Sequence, residues 1–169
     1  EAAYELGYAW ATVHCRTVEQ RYNGPGRWSF LTDLVRRRPD RLIFGSGDIW
    51  EAADIFRMIE LTGVHAVSMA RGCIGNPWIF RQARQLMAGE PATPPTLAEQ
   101  ASALRQHFEL AATLHGGRHA SRLMRKFGIK FSRHHPRAEE VRVAFIGCST
   151  VQDWRAVFDR YYGAEAGGD

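Results

Sequence analysis

Three short, nearly continuous apolar runs, separated by amphipathic stretches, restrict how the first 89 residues can fold. The runs cover residues 8–13, 41–44 and 66–69, and strands that are covered on both faces have this composition. The stretches between them, residues 28–37 and 51–61, have the length and periodicity of crossover helices. The pattern predicts consecutive β-α units around a parallel sheet.

A proline-rich segment separates this region from the remainder of the chain. Residues 90–96 contain three prolines and are not expected to form regular structure. Beyond them, the sequence has the pattern of helices joined by short turns, which is typical of a small bundle. We therefore expect an α/β unit over residues 1–89, a linker over 90–96, an all-α helical bundle over 97–163 and a disordered tail over 164–169.

Capping residues mark the helix termini. Thr96 with Glu99, and Ser149 with Gln152, have the spacing of capping boxes. In the first region, a helix that runs to about residue 88 is expected to begin at Pro77, after an Asn cap at position 76. The helices of the bundle are expected over residues 97–116, 118–132, 138–146 and 150–162.

Composition excludes several classes of protein. No apolar run approaches the roughly 18 residues that a membrane span needs, and charged residues form 24% of the chain. Cys15, Cys73 and Cys148 are odd in number and far apart, which disfavours a disulfide framework and a structural zinc site. We expect a cytoplasmic protein with neither a metal nor a membrane partner.

Because the chain opens with Glu1 inside a helical pattern, we expect it to be part of a longer protein.

A run of basic residues lies between Glu109 and Glu139, where seven arginines and lysines occur without an acidic residue. Arg118, Arg122 and Arg125 have the i, i+4, i+7 spacing of one helix face. A solvated helix face is the simpler interpretation. The missing carboxylates favour the alternative, in which the face contacts the phosphates of a polyanion.

The turns that follow the apolar runs carry the candidate site. Loops at the carboxyl ends of parallel strands build the active sites of α/β barrels, and the last two strands commonly bind phosphate. VHCRT places His14 and Arg16 after the first run, and GSGDI and ARGCIGNPW follow the second and third. Gly47 and Gly72 allow an anion to approach the backbone, and Arg71 can pair with it. The turns predict a site for a phosphorylated cofactor or substrate; the simpler alternatives are a strand-end histidine and a surface ion pair.

The same segments resemble the tRNA-dihydrouridine synthases. VHCRT, YNGPGRW, GSGDIW and MARGCIGNPWIF occur in the order of the carboxyl-terminal half of that family, whose usual versions are HGRT, NGDI and GRGxxGNPW. LMRKFGIKF, beyond the linker, resembles the arginine-lysine-histidine motif of the family's helical RNA-binding domain. The resemblance implies the last three β-α units of an FMN-binding (βα)8 TIM barrel, followed by that helical domain. A whole barrel needs about 250 residues.

The resemblance also implies an activity. Members of the family reduce uridine in tRNA to 5,6-dihydrouridine, with FMN as the flavin and NADPH as its reductant. By motif match, the cofactor-binding residues are His14, Ser46, Gly47, Asp48, Ala70 and Arg71. His14 is also the catalytic candidate, beside the flavin and the uracil. The motif match and the basic run together give the RNA-binding candidates, which are Arg16, Arg118, Arg122, Arg125 and Lys126.

The sequence departs from the family pattern at four positions. Ser46 replaces the asparagine of NGD, Ala70 and Cys15 replace glycines, and Phe127 replaces the histidine of the RNA-binding motif. None of the three cysteines matches the family's proton-donating cysteine, which belongs to the first part of the barrel. Two other functions therefore stay open: another FMN-dependent TIM-barrel oxidoreductase, and a catalytically incompetent RNA-binding remnant.

Overall fold

The computed structural model describes residues 2–21 and 23–163, so the tail predicted over 164–169 lies outside the described residues. The chain divides into two compact units, which are described separately below. The first unit comprises Glu1–Cys73 and Ile79–Ala92, and the second comprises Ile74–Trp78 and Thr93–Asp169.

The first unit is built from β-α units, as predicted. Its strands form one parallel sheet in the order β1-β2-β3. Because the strands are parallel, their carboxyl ends lie at one edge of the sheet, and the loops that follow them meet there. The elements are α1 (Ala2–Glu5), β1 (Trp10–His14), α2 (Trp28–Arg37), β2 (Leu42–Ser46), α3 (Ala52–Thr62), β3 (Ala66–Ser68), a 3-10 helix (Arg71–Cys73) and α4 (Ile79–Met87).

The core of the first unit lies against one face of this sheet. Leu31 of α2, Ile43 of β2 and Met58 of α3 are at most 1% exposed. The prediction that all strands are covered on both faces is wrong for β1, whose residues alternate between exposed and half-buried. Alternate residues face opposite sides of a sheet, and in β1 the side chains of one side, such as Trp10, stay exposed because this unit's core packs against the other.

The helix α4 begins at Ile79, later than predicted, and Asn76 is not its cap. Asn76 is instead 4% exposed. The preceding Gly75 has a φ of +84°, and a Cβ added there would lie 2.6 Å from the backbone of Lys130. Gly75 therefore packs tightly on Lys130 within the second unit, to which residues 74–78 belong, and α4 of the first unit begins after this segment.

The second unit contains the helices α5 (Leu97–His115), α6 (Gly117–Leu123), α7 (Arg125–Phe131), α8 (Ala138–Gly147) and α9 (Val151–Tyr162), with a 3-10 helix at Ser132–His134. The predicted capping box of α5 is confirmed, because Thr96 Oγ1 accepts from the Glu99 N–H at 3.2 Å and the Glu99 carboxylate accepts from the Thr96 N–H at 2.8 Å. Within the described ranges, no helix combines the length and the apolar character that crossing a membrane requires.

The single basic helix predicted over residues 118–132 is wrong, because Met124 divides it into α6 and α7. Met124 is fully buried. Gly128 of α7 lies flat against Phe145 of α8, so that an added Cβ would be 2.5 Å from the ring. The break at Met124 therefore comes one turn before the close contact between α7 and α8.

The cap of the last helix differs by one residue from the prediction. Thr150, not Ser149, caps α9, and Asp153 takes the place expected for Gln152. The Thr150 hydroxyl accepts from the Asp153 N–H at 3.2 Å, and the Asp153 carboxylate accepts from the backbone N–H groups of Ser149 and Thr150, both at 2.8 Å. A carboxylate is the stronger acceptor for these donors, which favours the observed register.

Trp154 is the centre of the second core. It is 1% exposed, and its ring lies 4.8 Å from that of Phe108 and 4.9 Å from that of Phe145. Its indole N–H donates to the Ser121 carbonyl at 3.0 Å. The aromatic contacts join α5, α8 and α9, while the hydrogen bond joins α9 to α6.

Candidate functional site

The register of the sheet brings the ends of β1 and β2 together. His14 is the pairing partner of Ser46, which in turn pairs with Ser68 of β3. His14 Nδ1 lies 3.3 Å from the Ser46 hydroxyl oxygen, and the His14 side chain is exposed. The two loops that follow these strands therefore start side by side.

The six residues expected to bind the cofactor all line one depression at this edge of the sheet. Three apolar residues, Ile49, Trp50 and Met69, line it as well and were not singled out from the sequence, although each lies within two positions of an expected residue. The lining comprises His14, Ser46, Gly47, Asp48, Ile49, Trp50, Met69, Ala70 and Arg71.

The backbone around the depression is shaped by two glycines. Gly47 has a φ of +117°, and a Cβ added there would lie 3.4 Å from His14 Cε1. A Cβ added at Gly72 would collide with the backbone carbonyl of Ile49, which shows how closely the β3 loop packs on the β2 loop. Beside them, the Arg71 guanidinium lies 5.0 Å from the centre of the Trp50 ring. A bare glycine backbone next to a guanidinium is suited to a phosphate group.

Asp48 and Arg16 form an ion pair behind this surface. Arg16 Nη2 lies 2.6 Å and 2.8 Å from the two carboxylate oxygens of Asp48. The side chains are only 7% and 18% exposed, respectively. Arg16 is predicted to face RNA; in the structure its guanidinium lies against the Asp48 carboxylate.

The carboxylate of Asp48 is held in its ionised form. Partial burial acts to raise the pKa of Asp48, but the hydrogen bond from the Gly26 N–H at 2.6 Å and the contact with Arg16 outweigh it. The pKa of Asp48 therefore lies below its ordinary value, and the charge of Arg71 acts in the same direction. Asp48 thus keeps its negative charge at neutral pH, with Arg16 as its direct partner.

Residues 24–28 form hydrogen bonds with the residues that follow β1 and β2. Arg16 Nη2 donates to the Gly24 carbonyl at 2.8 Å, and the Arg27 N–H donates to the Cys15 carbonyl at 2.9 Å. The Trp28 indole N–H donates to the Gly47 carbonyl at 3.2 Å. Together with the bond from Gly26 to Asp48, these contacts tie the segment to the turn that lines the depression.

The cysteines do not contribute to the described lining of the depression. Cys15 is 4% exposed, and burial raises the pKa of its thiol to about 11. The Cys73 thiol donates to the Ala70 carbonyl at 2.9 Å. Burial also raises the pKa of Cys148, in the second unit, to about 11. Cys15 and Cys148 are therefore neutral thiols at physiological pH.

The basic residues of the second unit fall into two groups. Within the described ranges, the exposed side chains of Arg118 and Arg122 make neither an ion pair nor a hydrogen bond. Arg125 Nε donates to the Arg122 carbonyl at 3.5 Å, and the Lys126 ammonium lies 5.1 Å from the centre of the Phe127 ring. The first pair of arginines therefore offers the more available positive charge.

Arg118 and Arg122 belong to a shallow depression where α5 meets α6. Its other lining residues are His115, Gly116, Gly117 and His119, and the two imidazole rings are 5.7 Å apart. Residues 2–21 and 23–163 contain no group of three or more His, Cys, Asp or Glu side chains suited to a metal ion. Apart from two glycines, the lining consists of arginine and histidine side chains and contains no carboxylate, which suits an anion.

Comparison with known proteins gives consistent similarities. Residues 1–161 match the model of a family described as dihydrouridine synthase. The chain is 33% identical over 159 residues to a probable tRNA-dihydrouridine synthase of Mycobacterium leprae, covering 94% of this chain and 41% of that protein. It is 28% identical over 163 residues to tRNA-dihydrouridine synthase B of Xanthomonas campestris, covering 96% of this chain and 49% of that protein. The chain thus spans less than half the length of these relatives.

Proposed function

Because the chain belongs to the dihydrouridine synthase family, we propose that it is the carboxyl-terminal part of an enzyme that reduces uridine in tRNA to 5,6-dihydrouridine. This part would supply the last portion of an FMN-binding TIM barrel and the RNA-binding helices. The observation that carries the proposal is the convergence of His14, Ser46, Gly47, Ala70 and Arg71 on one depression. NADPH is the proposed reductant. Access to tRNA would place the enzyme in the cytoplasm.

The phosphate of FMN is the group that these residues would hold. Gly47 presents bare backbone, and Arg71 supplies a positive charge that can pair with a phosphate through two parallel hydrogen bonds. A nearby carboxylate would ordinarily repel a phosphate. The pairing of Asp48 with Arg16 reduces this repulsion, because the negative charge has a positive partner within 3 Å.

His14 would act at the flavin ring and the uracil. Its imidazole stands exposed at the carboxyl end of β1, with Nδ1 next to the Ser46 hydroxyl. That contact orients the ring and leaves Nε2 for a bound ligand. When bound, FMN supplies the hydride chemistry, while His14 and its neighbours supply orientation and hydrogen bonds.

Binding of FMN and of riboflavin, which lacks the phosphate, tests the site. We expect weak binding to this chain, with FMN bound more tightly than riboflavin in a fluorescence titration. Arg71→Gln should remove most of that preference, whereas Arg36→Gln, on the exposed surface of α2, should leave it unchanged. Equal affinities for FMN and riboflavin in the unmodified chain would contradict the phosphate site.

Contact with tRNA is the second part of the proposal, supported by the available charge of Arg118 and Arg122. Replacing Arg118, Arg122 and Arg125 by glutamine should weaken tRNA binding and reduce its dependence on salt, because fewer counterions are released. Arg142→Gln is the matched control, since that guanidinium is already paired with Glu139 at 2.7 Å. If the triple variant and the control bind tRNA equally, the basic face is not the RNA site.

Dihydrouridine content separates the remaining functions. Loss of dihydrouridine from cellular tRNA when the gene is deleted would support the synthase, whereas unchanged content would favour another FMN-dependent oxidoreductase. An RNA-binding remnant would bind tRNA but fail to restore dihydrouridine when the gene is returned. The replacements Ser46 and Phe127, at positions of family motifs, are the features that favour the remnant.

A further inference from the structure

We propose that Arg16 and Asp48 are positioning residues, whose ion pair holds residues 24–27 against the turn that lines the phosphate site. The proposal rests on the proposed function for the ligand, but its geometry is independent of it. It assigns Arg16 a role inside the protein in place of contact with RNA. It assigns the Asp48 side chain a role in holding the loops in place of direct contact with the cofactor.

The Arg16 guanidinium is committed to protein partners. Its Nη2 contacts both carboxylate oxygens of Asp48 and donates to the Gly24 carbonyl at 2.8 Å, while its Nε lies 3.3 Å from the same carbonyl. The third nitrogen, Nη1, is buried and has no hydrogen-bond partner among the described residues. Only 7% of the side chain is exposed, so Arg16 offers little of its guanidinium to a polyanion on the surface of this unit.

The Asp48 carboxylate is equally committed. It accepts from Arg16 and from the Gly26 N–H, which lies 2.6 Å away. Asp48 also has a φ of +56°, a left-handed conformation that non-glycine residues seldom adopt. The side-chain contacts with Arg16 and Gly26 offset the unfavourable backbone conformation and so keep the turn after β2 in one shape.

The turn and the segment therefore share one set of contacts. Gly26 fits between them because it lacks a side chain: an added Cβ would lie 3.1 Å from Cys15 Cβ and 3.2 Å from Asp48 Oδ2. The Trp28 indole N–H adds a further hydrogen bond between the segment and the turn, because it donates to the Gly47 carbonyl. Removal of the Asp48 charge would release Arg16 and Gly26 together, and would loosen both the segment and the backbone at Gly47.

Limited proteolysis measures this holding role without any ligand. Trypsin cleaves after arginine. The bond after Arg27 ends the segment, and the bond after Arg16 precedes it, with the exposed Arg21 as a further site between them. Asp48→Asn should increase the rate of cleavage at these two bonds about tenfold or more, because the open form becomes more populated when a charge-assisted contact is lost. Arg16→Lys, which keeps the charge but loses the forked geometry, should increase cleavage after Arg27 and serves as a second variant.

Glu139→Gln is the matched control. It makes the same carboxylate-to-amide change in an ion pair, because Glu139 accepts from Arg142 at 2.7 Å and 2.8 Å on the surface of α8. Cleavage after Arg16 and Arg27 should stay unchanged in this variant. If Asp48→Asn and Arg16→Lys are cleaved at the wild-type rate at these bonds, the positioning role is wrong.

The affinity for FMN gives a second measurement. A simple charge effect of Asp48 and a positioning role predict opposite changes in the affinity of Asp48→Asn. If Asp48 acted only as a nearby negative charge, Asp48→Asn would bind FMN more tightly, because repulsion of the phosphate falls. A positioning role predicts weaker binding, by about tenfold, with riboflavin affected less. Tighter FMN binding by Asp48→Asn would overturn the proposal. Equal binding of FMN and riboflavin by the wild type would instead contradict the proposed phosphate site, and the ligand-free proteolysis would still decide the role of the pair.

Discussion

The substitution Gly72→Ala tests how closely the two loops of the proposed phosphate site pack. Gly72 lies directly after Arg71 and is buried. A Cβ added there would lie 3.0 Å from the carbonyl carbon of Ile49, 3.3 Å from Trp50 Cα and closer still to the Ile49 oxygen. All three are backbone atoms, so no side chain can rotate to relieve the contact.

The size of the effect follows from the displacement required. Non-bonded heavy atoms attract best at about 3.5–4.0 Å, so the β2 and β3 loops would have to separate by more than about 1 Å to relieve the contact with the Ile49 oxygen. Overpacking of this kind costs about 1–3 kcal/mol of stability. The same displacement moves Arg71 away from Gly47, and we expect FMN affinity to fall about tenfold or more, since errors of roughly 1 Å in positioned groups are costly.

Urea unfolding and FMN titration together measure the outcome. Gly147→Ala is the control, because Gly147 ends α8 with nothing within 4 Å of an added Cβ. It should leave both the unfolding midpoint and the FMN affinity close to wild type. If Gly72→Ala matches the wild type in both measurements, the loops do not pack as closely as the structure shows, and the argument for a shared phosphate site loses its basis.

Three further predictions concern stability. Trp154→Phe leaves the Ser121 carbonyl without its 3.0 Å donor and opens a small cavity, so it should cost about 2 kcal/mol in chemical unfolding. Thr150→Ala should cost about 1 kcal/mol in the same assay and more than Ser149→Ala, since Thr150 is the cap. The pKa of Asp48 is below its ordinary value. Its ionised form therefore stabilises the folded protein above about pH 4, and this stabilisation is lost as the pH falls through the lowered pKa. Asp48→Asn should accordingly lose less stability than the wild type on acidification.

The parallel sheet and the meeting of its loops could be predicted because both follow from local rules. Short apolar runs alternate with helical stretches of sufficient length, and this pattern implies parallel strands. Once the strands are parallel, the residues after each of them must lie at one edge. His14, Ser46 and Arg71 therefore meet for a topological reason, and no knowledge of side-chain packing is needed to expect it.

The interruption of the basic helix could not be predicted in this way. Residues 118–132 contain no proline, and Gly128 lies four residues beyond the break. The break at Met124 comes one turn before Gly128, which lies flat on Phe145 of a helix that is distant in sequence. Local periodicity carries no information on such a contact. The prediction that Arg118, Arg122 and Arg125 share one face of a single helix therefore failed, because Arg125 belongs to α7 and the other two to α6.

The two kinds of arginine in this protein show why charge should be assessed in three dimensions. Arg118 has no acidic neighbour in sequence and no ion pair among the described residues, so the sequence and the structure agree on its availability. Arg16 stands between Cys15 and Thr17, and its acidic partner is Asp48, 32 residues away on the neighbouring strand end. Parallel pairing of β1 and β2 creates that contact, because His14 lies opposite Ser46. A basic residue at the end of a parallel strand should therefore be assigned to a ligand only after the next strand end has been examined for a carboxylate.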